Sequence, residues 1–472
     1  MEQAWSRAYS IIMASNLLVD GVQKANVTPE EMNIALGQAY YWRAYAYFHL
    51  VRLFGPLPLI LHHIPDNNAT PLTAVEGIYA QIVSDLKAAE DCHLPAQYTG
   101  ENRSIEGQNI YVSEQTVKAT LAAVYMSMAG YPMNKTEYYE QAAAKAKEVI
   151  DGVNKGTYKQ GLLEDWKDVY SYGKNHHFET LLGIDYNAAL GGWSDADSQF
   201  SSCHQLNNVW NGWGDLLAER RYWKDYPEGP RKDAVYSKRI LINNSEHAVD
   251  WWATTDGKKY NGKNAASSVH YRPMFIAFSV NKNEAGQPIA APFDYNKPVW
   301  GGMCINKRHQ LIRYAEVLCW YAESAARSQS SDLSEAKAAL KKVRARAYTD
   351  QTKVAEVDKM NAEQLAEAAY NEHGYEVAGY VIAMVTRRAD QFRMNRLQET
   401  HTYRSGEQTE VLVKKGTKTH SVNEKGEPFD YELEEDVIVK ENMPVNSTWQ
   451  GESSIYQVYP PTEVEKNPNL KR

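Results

Sequence analysis

The stretch "EEMNIALGQAYYWRAYAYFHLVRLFGPLPLI", residues 30–60, constrains the fold more than any other. Leu36, Tyr40, Ala44, Tyr47, Val51 and Phe54 recur at alternating steps of four and three, the period of one helix face. Gly55-Pro56 ends the run, because glycine suits a helix terminus and proline cannot continue one. Such a helix needs a partner. "TAVEGIYAQIVSDLKAAEDC" supplies one, with Thr73 and Glu76 in capping-box spacing and Val75, Ile78, Ile82, Leu86 and Ala89 on one face, and it is expected to pack back on the first. "SEQTVKATLAAVYMSMAGYPMNKTEYYEQAAAKAKEVID" repeats the theme, a helix over 113–129, a Gly-Tyr-Pro break and a second helix over 136–150. A third hairpin follows at 313–348, "RYAEVLCWYAESAARSQSSDLSEAKAALKKVRARAY".

The opening "EQAWSRAYSIIMASNLLVDG" is helical as well, with Ala4, Ala8, Ile11 or Ile12, Ser15 and Leu18 on one face. It lacks the charged and apolar regions of a leader, so it reads as a start inside a fold. Helix-turn-helix units with small residues at their crossings resemble tetratricopeptide repeats whose spacing long insertions have broken. Between the second and third hairpins, roughly 160–310, periodicity gives way to Gly, Asn, Ser, Asp and aromatics, over a length that a structureless loop rarely has. Residues 400–450 alternate polar and β-branched positions around Gly-rich turns and predict a small β-hairpin excursion. The fold class expected is mainly α, tetratricopeptide-like helical hairpins with a large irregular loop region and minor β-hairpins. Three parts are delimited within one compact unit: 1–160 helical, 161–310 an irregular aromatic-rich ligand-binding excursion, and 311–472 a C-terminal part carrying the β excursion.

Composition narrows the function. Lys+Arg 51 against Asp+Glu 59, a net charge of −8 spread without long runs, argues against a nucleic-acid partner. Cys92, Cys203, Cys304 and Cys319 form no CxxC pair, and no apolar run approaches the ~20 residues of a membrane span. Residues 257–264 nearly match a phosphate-cradling loop, but Asn264 replaces the required hydroxyl and "VDWWATTD" before it makes a poor strand, so a turn is predicted. Asp195 and Asp197 have calcium-loop spacing without the glycine and distant glutamate of such a loop, and read as a solvated turn. The side chains of His62-His63 and His176-His177 are expected to diverge. Neither a metal site, a cofactor nor a catalytic set is indicated, although paired carboxylates for glycoside hydrolysis need not be visible in a sequence.

The aromatics carry more. With 32 Tyr and 12 Trp against 9 Phe, the chain prefers rings with a polar handle. Half of the tryptophans, Trp193, Trp210, Trp213, Trp223, Trp251 and Trp252, fall within residues 193–252. Trp223, Trp251 and Trp252 are read as rings that staple the excursion to the scaffold. In "NNVWNGWGD" (207–215), Gly212, Gly214 and the asparagines favour a loop. Trp210 and Trp213 there, with Trp193, are either further staples or a stacking platform for pyranose rings, with Asp195 and Asn211 as hydroxyl partners.

Taken in order, "AWSRAYSIIMASNLL", "GQAYYWRAYAYFHLVRLFGPLPLI", "YPEGPRKDAVY", "IRYAEVLCWYAESAAR", "KKVRARAY" and "YPPTEVEKNPNL" resemble the landmarks of the SusD/RagB family of surface nutrient-binding lipoproteins. The resemblance implies a tetratricopeptide-like scaffold with an irregular ligand-binding face, a glycan or other oligomeric nutrient as ligand, and docking on a SusC-like TonB-dependent transporter in the outer membrane. It implies a binder without catalysis, anchored by a lipid on a cysteine upstream of Met1, where some family binding residues also lie. "YNEHGYEVAGYVIAMVTRRADQFRMNRL" loosely follows the family's late charged element, with Glu376, Arg388, Asp390 and Arg393 as equivalents, and a buried ion network is expected there. The rival readings are a helical glycoside hydrolase and an intracellular repeat adaptor, with peptide cargo as a variant of the first.

Overall fold

Thr28, Pro29 and Gly55 frame the aromatic helix. In the computed structural model, α2 (Pro29–Phe54) starts where the Thr28 hydroxyl accepts the Glu31 N–H at 3.2 Å with Pro29 in the first turn. It stops at Gly55, whose φ of 72° a side chain would strain. The structure describes residues 2–63, 69–100, 102–186, 216, 218–241, 247–253, 259–260, 263–264, 272–277, 279, 281–282, 288–289, 306–328, 332–380, 382–406, 411–439 and 449–471. α1 (Glu2–Gly21), α3 (Val75–Asp91), α4 (Glu114–Ala129) and α5 (Tyr138–Asn154) follow the expected pattern, and helices Tyr314–Arg327 and Ser334–Ala347 form the third hairpin.

Each helix packs on the next: α1 on α2, α2 on α3, α3 on α4, and α4 on α5. The Tyr314–Arg327 helix then lies against α5 and against both Ser334–Ala347 and Ala362–Glu376. α4 is the central element. Of its residues from Gln115 to Ala129 only Lys118 escapes burial, which is how a helix that is apolar or small on all sides behaves.

Two local readings need correction. α1 buries Ala8, Ile12 and Ser15 of the expected face, but Trp5 and Asn16 are buried in place of Ala4 and Leu18, and Ile11 is exposed. Trp5 decides this by meeting the Phe54 ring edge-on at 5.1 Å, and Asn16 by bonding the Ile60 carbonyl at 3.0 Å and Arg43 at 2.9 Å. Thr73 caps nothing. It pairs with Leu57 in a two-residue strand, and α3 starts after Ala74 without a side-chain cap.

The long excursion enters and leaves the scaffold at one place. Strand Thr180–Ile184 pairs antiparallel with His309–Arg313, which runs straight into the Tyr314–Arg327 helix. Closing the ends of so long a segment costs little more than closing a short one, because the closure entropy grows only with the logarithm of length. Within it, Lys259–Tyr260 pairs antiparallel with Lys263–Asn264, and the other residues of the turn predicted over 257–264 lie outside the described residues. Trp251 and Trp252 are buried and Trp223 is half-buried. Trp223 and Trp251 meet edge-on at 5.2 Å, and the Trp252 indole donates to the Thr419 hydroxyl at 3.2 Å. These three rings are staples, joining the excursion to the β arm. That arm starts later than expected, since helix Leu397–Gly406 occupies its first residues. It is a hairpin within a hairpin: Val411–Val413 pairs with Val437–Val439, and Lys418–Val422 with Pro428–Glu432.

A buried ion network fastens the excursion to the C-terminal helices. Glu376 accepts from Arg231 at 2.7 Å, Arg313 at 2.8 Å and the Trp166 indole at 3.1 Å. Arg313 also donates to Glu179 at 3.0 Å, and Glu372 takes Arg231 and Arg344, each at 2.8 Å. A second group joins Arg393 to Glu323 at 2.6 Å and to Asp390 at 2.9 Å, with His373 between Asp390 and Glu316. Glu376, Asp390 and Arg393 therefore belong to the expected network, but Arg388 does not. In the Arg387–Arg393 helix, Asp390 and Arg393 share a face and Arg388 lies on the opposite side, where it donates to the Ile455 carbonyl at 3.1 Å.

Candidate ligand-binding face

The stripe of α2 opposite its core face carries Gln38, Trp42, Tyr45 and His49, spaced by four, three and four residues so that they share one side. Trp42 and Tyr45 are half-buried and His49 is exposed, although the residues between them are mostly core. Trp42 meets Tyr45 edge-on at 5.4 Å, and Tyr45 stacks on His49 at 6.2 Å and 12°. Burial, with the Tyr186 phenol as a further cause, pushes the Tyr45 hydroxyl up to about 12, so it stays a neutral donor and acceptor.

At one end of this row lies a hollow of about 430 Å³ whose lining includes Glu31, Ile34, Gln38, Trp42, Arg103 and Tyr111. Its walls are fixed by the backbone. Gln38 donates to the Val112 carbonyl at 2.8 Å and accepts the Val112 N–H at 3.0 Å, which orients its amide. Arg103 donates to Glu31 at 2.6 Å and lies 5.8 Å from the centre of the Tyr111 ring. Tyr111 is 36% exposed, one of the few large rings left open to solvent among the described residues. The hollow thus combines aromatic faces with a carboxylate acceptor and a guanidinium donor side by side, a pair that can take two neighbouring hydroxyls at once.

The excursion departs beside Tyr45, whose hydroxyl the Tyr186 phenol reaches. Tyr186 lies against His309 with centroids 4.7 Å apart and a hydroxyl contact of 3.1 Å, and His309 meets Tyr380 edge-on at 6.4 Å. Burial, with the Lys307 ammonium nearby, lowers His309 to about 4, so its imidazole is neutral. Burial would raise the Asp185 carboxyl, but the His176 hydrogen bond at 2.7 Å and the Arg308 charge outweigh it and hold it below the ordinary range. Arg308 also donates to the Asn109 carbonyl at 3.1 Å, tying the excursion's root to the loop that carries Tyr111. His177, by contrast, turns inward to the Val169 carbonyl at 3.1 Å, so the adjacent His176 and His177 side chains diverge as expected.

Trp193, Asp195, Trp210, Asn211 and Trp213 lie outside the described residues. The chain leaves for them after Tyr186, beside His309. Trp42, Tyr45, His49, Arg103 and Tyr111 were not among the residues expected to bind. The signal for three of them was present, since 38, 42, 45 and 49 form a second helical stripe alongside the core stripe. Arg103 and Tyr111 sit in a loop, where no period marks them.

Comparison with known proteins places this architecture. A family model described as "Starch-binding associating with outer membrane" matches residues 1–126, and one described as "SusD family" matches residues 179–472. A SusD-like protein of Bacteroides ovatus is 27% identical over 217 residues, 44% of this chain and 37% of that protein. SusD-like protein P2 of Formosa agariphila is 28% identical over 240 residues, 49% of this chain and 44% of that protein. The aligned stretch is therefore less than half the length of either relative. Among solved structures, a SusD superfamily protein from Parabacteroides distasonis superposes with a TM-score of 0.63 at 17% identity, covering 99% of this chain and 84% of the other. A structure solved with a xylogluco-oligosaccharide gives 0.67 at 20% identity, covering 99% and 87%. At such identities the superpositions show a shared fold of helical hairpins. The SusD match covers well over half of the sequence, and the chain belongs to the SusD family.

Proposed function

We propose that this chain binds an oligosaccharide on the α2 face and hands it to a SusC-like TonB-dependent transporter at the outer-membrane surface. The observation that carries the reading is the row of partly open rings, Trp42, Tyr45 and His49, on a helix otherwise built into the core, ending in the Tyr111 and Arg103 hollow. Apolar ring faces left wet are unfavourable unless a ligand covers them. The similar structure solved with a xylogluco-oligosaccharide and the starch-binding family description support a glycan as that ligand. Trp193, Trp210 and Trp213 on the departing excursion supply further stacking faces in this reading, and Asp195 and Asn211 hydroxyl partners. We assign membrane attachment to a lipid anchor, a reading that the outer-membrane family description supports; no described helix is long and apolar enough to cross a membrane.

Calorimetric titration with a panel of neutral oligosaccharides tests the reading. Tyr111→Ala, Trp210→Ala and Trp213→Ala are each expected to weaken binding about tenfold, ~1.4 kcal/mol, with little change in melting point. If Trp210 and Trp213 are staples instead, each substitution lowers stability by about 3–5 kcal/mol and leaves the affinity of the folded fraction unchanged. Binding without turnover is expected. New reducing ends formed from a bound oligosaccharide would replace this reading with the hydrolase.

A further inference from the structure

Nearly every buried arginine of the scaffold has a carboxylate: Arg43 has Asp85, Arg231 and Arg313 have Glu376, Arg344 has Glu372, and Arg393 has Glu323. Two further arginines, buried Arg52 and exposed Arg388, have none among the described residues. Both line one small pocket of about 70 Å³ at the C-terminal end of α2, together with His49, Met384, Thr386 and Phe392. Arg52 is 9% exposed; its Nε donates to the Phe48 carbonyl at 2.8 Å and its guanidinium lies 3.8 Å over the Phe48 ring. The carboxylate whose charge reaches it, Asp390, is already engaged by Arg393 and His373. Arg388 makes a single hydrogen bond, to the Ile455 carbonyl.

A buried guanidinium without a counter-ion loses hydration, a cost that the rest of this core avoids by pairing, and Arg388, which is exposed, brings a second cation to the same pocket. An anion removes that cost. We propose that this pocket binds a small oxyanion, a carboxylate, sulfate or phosphate group, held between Arg52 and Arg388. The planar forks of the two side chains match the paired oxygens of such a group, and the pocket volume suits a group of that size rather than a whole sugar ring. Access runs past His49, which is exposed and stacks on Tyr45, so the anion is either a free ion from solution or an acidic substituent on a saccharide lying along the α2 face. The pocket does not depend on the sugar reading, because a free anion needs no stacked ring.

Thermal melts in sodium sulfate, phosphate and acetate, each against sodium chloride at equal ionic strength, test the proposal on the intact chain. The wild type is expected to gain melting temperature over the chloride control, and Arg388→Gln to lose that excess, since only binding to the folded state adds stability this way. Equal gains in wild type and variant, or none over chloride, would overturn it. Should the variant fail to fold, selenate soaked into wild-type crystals must appear within hydrogen-bond distance of both guanidinium groups, and selenate found only elsewhere overturns it too. A uronate-bearing oligosaccharide against its neutral counterpart separates the sources. A tenfold or greater loss for the acidic ligand alone in Arg388→Gln assigns the occupant to the saccharide, and unchanged affinity for both, with the sulfate effect retained in the wild type, assigns it to a free ion.

Discussion

Glu376→Gln is the sharpest probe of what holds the excursion on the scaffold. The side chain is 1% exposed and receives Arg231, Arg313 and the Trp166 indole, with Arg346 at 3.5 Å. Glutamine keeps the shape but removes the charge, leaving Arg231 and Arg313 to share Glu372 and Glu179 with Arg344 and Arg346. Breaking a buried ion pair from one side costs about 3–5 kcal/mol. At roughly 2.1 cal/mol/K per residue, a chain of 472 residues unfolding as one unit has an unfolding entropy near 1 kcal/mol/K, so the expected fall in melting temperature is about 3–5 °C. Glu367→Gln is the control. It removes an equally short pair with Arg396, 2.7 Å, but both partners are about a third or more exposed, and such pairs are worth at most ~1 kcal/mol. Burial raises the Glu376 carboxyl, but Arg313, Arg231 and Arg346 outweigh it and hold it far below the ordinary range. Its contribution is therefore present above the ordinary glutamate pKa near 4.3 and lost as pH falls, so the difference between wild type and variant should shrink in acid. Differential scanning calorimetry of the three proteins from neutral to acid pH decides. Equal melting points for Glu376→Gln and Glu367→Gln at neutral pH would refute the reasoning.

Two more outcomes follow from the same structure. Burial would lower His373, but the Asp390 charge and the hydrogen bonds to Asp390 and Glu316 raise it to about 9; the resulting stability, on the order of 3 kcal/mol, is complete below about 6.5 and disappears as pH rises through 9, and melts of His373→Gln should lack that alkaline loss. Trp252→Ala removes a buried ring and its bond to Thr419, so limited proteolysis should cut the β arm at 411–439 faster while oligosaccharide affinity stays unchanged.

What the sequence disclosed and what it withheld follow from the range of the interactions. Helix periods are local, so the core stripe of α2 from Ala44 to Phe54 and the bounds of the three hairpins were legible in a linear reading. The Arg388 error came from counting charges without tracking faces: two residues from Asp390 along a helix is the far side of it. Thr73 failed as a cap because Leu57, sixteen residues earlier, claims it as a strand partner, and such pairings are invisible to a capping motif. The binding face was half legible. Gln38, Trp42, Tyr45 and His49 share a period, but tyrosine and tryptophan serve core and surface alike, and only packing decides which. Arg103 and Tyr111 come from one loop and Arg308 from another, and the two meet through contacts such as Arg308 to the Asn109 carbonyl, across a sequence separation of 199.

The same distinction explains what charge adds to the apolar seam in which Trp166, Tyr226, Val235 and Tyr236 of the excursion pack with Val377 and Tyr380. An apolar contact holds by area and tolerates sliding, whereas Arg313 reaches Glu179, just before the entering strand, and Glu376, on the Ala362–Glu376 helix, only in one relative position. Arg231, within the excursion, adds a third point to the same carboxylate. Strand pairing between Thr180–Ile184 and His309–Arg313 fixes where the excursion begins and ends, and the ions fix its body against the hairpins. Tyr186, beside Tyr45, and His309 sit at that junction, so rings carried by the excursion inherit a defined starting point relative to Tyr45 and Trp42. A stacking surface assembled from two parts of a chain needs such a fixed origin, because ring spacing decides which sugar repeat it accepts.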